Sequence, residues 1–306
     1  MERLNLFVLF LLRAKSFCIF IRMIQNRLIH EYFTLYTETG DPVRGEIRSV
    51  DTLREKPVVI ICHSFMAFKD WGFFPYIAEQ IARAGFVSVI FNFSLNGVVG
   101  DEPRITDFEK FERNTISREI SDLGVVIDAV AVGQIGAGII RRDKIFLLGH
   151  SRGSGIAILR TADDKRIRGF VSLGTVGKFQ RWTSHQKKIW RELGYLPLAK
   201  DSSTSPLRLG IDFLNDIEIN TEKWDTKNVA SKINVPWLII HGLKDITVSP
   251  AEAQIMYDAS NKATTTLVML EKTGHLFNAQ TRDEDNYATL DSVLEIVLKW
   301  LHSHTH

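Results

Sequence analysis

A serine set between two glycines, directly after an apolar run and directly before a helical pattern, constrains this chain more than any other feature. Lys144-Ile145-Phe146-Leu147-Leu148 reads as a short buried strand. From Ser154 to Ala162, the residues Ile156, Ala157, Leu159 and Ala162 have the spacing of a packed helix. Gly149-His150-Ser151-Arg152-Gly153 joins the two. A strand that enters a helix through so short a link turns sharply, and only glycine leaves room beside the serine. The hydroxyl is then lifted off the sheet edge. Taken alone the pattern is weak, because glycine and serine at roughly 7% each produce it by chance about once in ten chains of this size. The bland reading is a Gly/Ser turn feeding an ordinary helix, so the rest of the chain must decide.

The remaining elements repeat the strand and helix theme. Glu31 to Tyr36 and Val43 to Val50 read as a hairpin turned at Thr39-Gly40-Asp41-Pro42. Pro57 to Cys62 is a Val/Ile run of the kind buried on both faces of a sheet. Phe74 to Arg83 has helical spacing and stops at Ala84-Gly85; Phe86 to Phe93 is the next strand, and Asn114 to Val132 the next helix. After the serine come strands at Gly169 to Leu173, Val235 to Ile240 and Thr265 to Leu270, with helices at Pro250 to Ala259 and Leu290 to Leu301. Such alternation predicts an α/β fold, a mostly parallel sheet with helices on both faces.

Residues 176–231 break the pattern. They separate the sixth and seventh strands by far more than the usual connection of about 2–6 residues, and carry Trp182, Trp190, Tyr195, Phe213 and Trp224. One reading is a decorated crossover along a sheet edge. The other, favoured because ligands of such sheets sit at the carboxyl ends of the strands, is a cap insertion over the serine. The expected organisation is an N-terminal extension (1–30), a core (31–175 and 232–306) and the cap (176–231).

Composition removes several function classes. The net charge is +2 over 306 residues, with basic pairs such as Arg141-Arg142 and Lys187-Lys188 but no longer block, so nucleic-acid binding has no electrostatic support. Two cysteines, Cys18 and Cys62, give no disulfide framework, and Cys62 is expected to be a small buried hydrophobe. The N-terminus is apolar at Leu6 to Leu12 and Phe17 to Ile21 but is interrupted by Arg13 and Lys15. It falls short of the roughly 18 apolar residues of a spanning helix. Three readings stand: a start assigned upstream of Met23, which is favoured, an interfacial helix, and a weak export signal. The expectation is a cytoplasmic protein whose membrane contact is limited to residues 1–22. Deleting those residues should leave a soluble, active protein, and loss of either property would overturn this.

A serine hydroxyl needs a base, and the base needs an orienting acid. In this topology they follow the serine in the order acid, then histidine. Of nine histidines, those after Ser151 are His185, His241, His275, His302, His304 and His306. His185 lies in the cap, the last three are expected in a tail, and His241 precedes Gly242 where it shapes a turn. His275 remains, directly after the last strand. Gly174 to Lys178 offers no carboxylate, whereas His241-Gly242-Leu243-Lys244-Asp245 offers Asp245 alone; its bland reading is a cap for the helix near Pro250. The developing oxyanion needs backbone donors. One is expected from Arg152, at a helix start. The other is expected from His63-Ser64-Phe65-Met66, with Phe65 the first choice and Met66 the alternative. The Arg152 side chain could hold a substrate carboxylate or pair with a neighbouring acid, and the latter is favoured.

These residues resemble the α/β-hydrolase superfamily, in particular its dienelactone-hydrolase-related esterases and serine-peptidase-like members. The similarity spans about residues 31–301 and is carried by the stretch from His63 to Phe74, Phe91-Asn92-Phe93-Ser94, Gly149 to Gly153, His241-Gly242 to Asp245 and Gly274-His275. It implies hydrolysis through an acyl-enzyme without a cofactor, with Ser151 attacking, His275 shuttling the proton and Asp245 holding the imidazole. Relatives usually have glycine where this chain has Ser64, whose side chain could narrow the approach to the oxyanion or take over a left-handed backbone conformation at some cost. Ser154 also replaces a common glycine. The expected substrate is a small-molecule carboxylic ester, contacted by Met66, Trp182 and Trp190. A peptidase or amidase with the same triad is the nearest rival, and a non-catalytic scaffold the more distant one. A metal site at His302, His304 and His306 is the weakest idea.

Overall fold

The computed structural model describes residues 28–100, 102–198, 207–279 and 287–305. Its strands are β1 (Ile29–Tyr36), β2 (Pro42–Ser49), β3 (Lys56–Cys62), β4 (Val87–Phe91), β5 (Ile140–His150), β6 (Ile167–Leu173), β7 (Tyr195–Pro197), β8 (Arg208–Gly210), β9 (Trp237–Gly242) and β10 (Thr265–Leu270). Eight of them form one sheet in the order β1-β2-β4-β3-β5-β6-β9-β10, and β7 and β8 pair separately. β2 is antiparallel to β1 and to β4, while β4, β3, β5, β6, β9 and β10 run parallel. All the loops that follow the parallel strands therefore leave one edge.

The sheet is covered twice, and β3 shows why its sequence is continuously apolar. Val58, Ile60 and Cys62 face one core, with the helices Ile116–Val132, Arg152–Asp163 and Pro250–Ala259. Val59 and Ile61 face the other, with the helices Phe74–Arg83 and Ala288–Ser303. The period-two alternation of a strand thus feeds two apolar layers. Cys62 is fully buried, and burial pushes its thiol well above the ordinary range. The described residues of 176–231 hold the paired strands β7 and β8 and the helices Ser184–Leu193, Ile211–Ile219 and Thr226–Ala230. Trp190, Phe213 and Trp224 join the core layer that holds the helix Arg152–Asp163.

Several boundaries differ from expectation. β5 starts at Ile140, because Lys56 pairs with Ile140 and Val58 with Ile145, and the polar residues between them bulge out of register. β1 starts at Ile29, two residues inside the expected extension; the expectations placed on residues 1–27 lie outside the described residues. The last helix runs to Ser303, so His302 is helical rather than in a tail. His304 rests on Trp300 with ring centroids 4.4 Å apart. Among the described residues, no helix is long and apolar enough to cross a membrane.

The turn after β5 is tightly packed. A β-carbon on Gly153 would lie 2.3 Å from the Cys62 carbonyl oxygen, and one on Gly149 would lie 2.4 Å from the Gly153 carbonyl oxygen. Both obstacles are backbone, so neither can rotate away. Gly153→Ala is expected to cost about 3 kcal/mol, read as a lower urea midpoint at unchanged slope. An unchanged midpoint would mean that helix and strand are not this close.

Candidate active site

β5 delivers Ser151 to the sheet edge. Its φ of 53° and ψ of −121° are strained for a non-glycine residue, and the helix begins at the next position. The Ser151 N–H donates to the Leu173 carbonyl at 2.9 Å, tying the turn to β6. Ser154, where the resemblance expects a glycine, has a use of its own. Its hydroxyl donates to the Ser151 carbonyl at 2.6 Å and accepts from the Val176 N–H at 3.1 Å.

The loop after β10 places His275 Nε2 2.9 Å from Ser151 Oγ. The loop after β9 places Asp245 Oδ2 2.7 Å from His275 Nδ1. With Nδ1–H donating to Asp245, Nε2 is left as the acceptor that faces the serine hydroxyl. Asp245 Oδ1 accepts from the N–H groups of Thr247 at 2.9 Å and Val248 at 2.8 Å. Asp245 therefore shapes its own loop instead of capping the next helix, which Ser249 caps. Burial alone would raise the Asp245 carboxyl, but hydrogen bonds from His241, His275 and the Val248 N–H outweigh it and hold the group well below the usual carboxylate range.

Two histidines that sequence reasoning left aside support this arrangement. His241 is fully buried, with Nε2 3.1 Å from Asp245 Oδ2 and 3.0 Å from the Val248 carbonyl. His150 is also fully buried and donates from Nε2 to the His275 carbonyl at 2.9 Å. Burial, then the neighbouring His275, pushes the His150 imidazole down to about 3, so it stays neutral. His63 is held neutral in the same way, pushed down to about 4 chiefly by burial; it donates to the Ser64 carbonyl at 2.9 Å.

Backbone strain gathers at these loops. Among the described residues, the non-glycine positions with positive φ are Met66, Ser151, Lys272, Phe277 and Asn278. One is the serine itself, one lies in the loop after β3, and three flank His275. The left-handed conformation expected at Ser64 falls instead on Met66, two residues later. The turn there is closed by the Ala67 N–H donating to the Ser64 carbonyl at 3.2 Å.

A cavity of about 390 Å³ opens beside Ser151 and His275. Ser64, Phe65 and Arg152 line it, as do Trp71, Phe179, Trp182 and Phe213. Of the residues expected to contact substrate, Trp182 is placed in this wall and the other two are not. Met66 is 39% exposed and outside the lining. Trp190 is fully buried, stacked on Phe213 at 6.1 Å and donating from Nε1 to the Gly210 carbonyl at 3.2 Å, which makes it part of the core. Tyr195 sits under the Arg208 guanidinium. The Arg152 guanidinium pairs with the buried Glu119 at 3.3 Å, the structural pairing favoured from sequence. Among the described residues no group of three or more His, Cys, Asp or Glu side chains could hold a metal ion.

No family model matches the chain, and no curated protein matches it in sequence. Solved structures do match in fold. The α/β hydrolase GrgF from Penicillium sp. sh18 superposes with a TM-score of 0.70 at 17% identity, covering 90% of this chain and 99% of that one. The esterase domain of a Rhodothermus marinus protein gives 0.61 at 15% identity, covering 91% and 100%. Est1E from Butyrivibrio proteoclasticus, solved with ferulic acid bound, gives 0.63 at 17% identity, covering 89% and 98%. The chain has the α/β-hydrolase fold.

Proposed function

We propose that this protein is a serine hydrolase that cleaves small to medium carboxylic esters through an acyl-enzyme. The observation that carries the proposal is the hydrogen-bonded chain from Ser151 through His275 to Asp245 at the edge of the cavity. Ser151 Oγ attacks the ester carbonyl carbon while His275 Nε2 takes its proton, and Asp245 steadies the imidazolium that forms. The carbonyl oxygen becomes an oxyanion, received by the backbone N–H groups of Phe65 and Arg152. Arg152 is the first residue of its helix, so its N–H has no partner within the helix and the dipole favours negative charge there. Collapse of the intermediate expels the alcohol, protonated by His275. Water then attacks the acyl-enzyme along the same proton path and frees the acid.

The wall supports an apolar acyl group, since Phe65, Trp71, Val176, Phe179, Trp182, Phe213 and Leu276 dominate it. Esterases are among the solved structures that share the fold, so esters are the first substrates to test. The test is a panel of p-nitrophenyl esters of graded acyl length beside aminoacyl anilides. The proposal expects the esters to be turned over and the anilides to be poor substrates; the reverse ranking would give the peptidase or amidase reading. Acyl length has a predicted limit. A second cavity of about 490 Å³ shares Lys178 and Phe179 with the first, so the buried Phe179 ring stands between them. Phe179→Ala is expected to shift the preferred acyl length upward. An unchanged length profile would show that Phe179 does not limit the site.

A further inference from the structure

We infer that the Arg152 side chain is a positioning group that fixes the gap between the two oxyanion donors; this rests on the serine-hydrolase reading above. Those donors come from separate segments, Phe65 from the loop after β3 and Arg152 from the start of the helix after β5. Nothing in either segment alone sets the distance between their N–H groups. Their side chains, however, hold each other. The Arg152 guanidinium carbon lies 3.6 Å from the centre of the Phe65 ring and 4.9 Å from that of Phe213. Its Nη1 is 3.3 Å from Glu119 Oε1, and Asn114 Nδ2 donates to the same oxygen at 2.7 Å. Phe65 stacks in turn on Phe111, with centroids 5.9 Å apart.

The arrangement is costly for stability alone. Arg152, Glu119 and Asn114 are all buried, and a buried ion pair adds little net stability because desolvation offsets its attraction. What it supplies is geometry. A planar cation pinned by a carboxylate and laid on an aromatic face resists both sliding and rotation. That matters at Phe65, because the next residue, Met66, has a φ of 57° and its strained backbone must be held by its surroundings. Glu119 and Asn114 thus brace Arg152, and Arg152 braces the loop that carries the Phe65 N–H.

The test compares wild type with Arg152→Lys and Phe65→Leu. Lysine keeps the charge but lacks the flat face, and leucine keeps the backbone N–H but lacks the ring. For p-nitrophenyl butyrate, kcat is expected to fall on the order of tenfold or more in each; KM should stay within about twofold in Arg152→Lys, whereas Phe65→Leu also alters the acyl wall and is read by kcat. Affinity for an alkyl trifluoromethyl ketone, whose adduct places an oxyanion at the same point, should fall by the same factor as kcat. A purely structural role would lower the melting temperature without this match. Should Arg152→Lys fail to fold, Phe65→Leu decides. Unchanged kcat, or a rise in KM at constant kcat, would overturn the positioning role. If fluorophosphonate does not label Ser151 in the wild type, the serine-hydrolase reading itself fails; labelled wild type with unaffected variants removes only this inference.

Discussion

Ser151→Ala is expected to lower turnover of p-nitrophenyl butyrate by on the order of a millionfold, to the residue that binding and the oxyanion donors supply without a nucleophile. The size follows from the hydrogen bonding of His275 Nε2, which among the described residues pairs with no other hydroxyl. Ser151 Oγ is the hydroxyl that faces His275 Nε2, at 2.9 Å. The other nearby hydroxyl of the turn, on Ser154, is committed to the Ser151 carbonyl and the Val176 N–H. Stability should change little, because alanine keeps the same β-carbon at the strained φ. The variant is measured by steady-state rate against the thermal melt. Retention of more than about one part in a thousand of wild-type kcat in a folded variant would mean that another group attacks the ester.

Asp245→Asn is expected to cost on the order of ten-thousandfold in kcat, by a different route. An asparagine can keep its oxygen toward the Thr247 and Val248 N–H groups, which Asp245 Oδ1 accepts now. Its amide nitrogen then meets His275 Nδ1, which must become the acceptor. The imidazole proton moves to Nε2, and Nε2 can no longer take the proton of Ser151. The same nitrogen also confronts His241 Nε2, now 3.1 Å from Oδ2, so a second buried contact is lost. The pH dependence of stability carries a further sign. The folded-state carboxyl is held below its unfolded value, so its contribution is present above the unfolded value of about 4. It is lost as pH falls through the lower folded value. The destabilisation of Asp245→Asn relative to wild type should therefore be full at neutral pH and shrink in acid. A gap that widens in acid would contradict the account.

Much of the site was legible because one topological fact orders it. In a parallel sheet the loops after successive strands share an edge, so a serine after the fifth strand could be matched with residues after the seventh and last core strands. The apolar runs at β3 and β9 marked their strands for the same reason, since residues buried on both faces leave a continuous signal. The start of β5 was hidden because Arg141 to Lys144 bulge from the ladder and look like loop. Trp182 and Trp190 could not be told apart: both are large aromatics of the segment between β6 and β9, and only packing places one in the cavity wall and the other behind it. His150 was overlooked as a working group because it acts through a backbone carbonyl, and His241 was read only as shaping its turn, although it also reaches the Asp245 carboxylate. A hydrogen bond between His150 and the His275 carbonyl, 125 residues away, leaves no local pattern. The strain assigned to Ser64 fell on Met66 because the turn closes from Ser64 to Ala67, which puts the reversed backbone at its third position.

The central claim is that Ser151 is an activated nucleophile. It is tested most directly by treating the folded protein with a fluorophosphonate and mapping the adduct by peptide mass spectrometry. The predicted result is one stoichiometric adduct, on Ser151, with labelling strongly slowed in His275→Ala. A folded protein that takes no adduct, or takes it on another residue while Ser151 stays free, would contradict it.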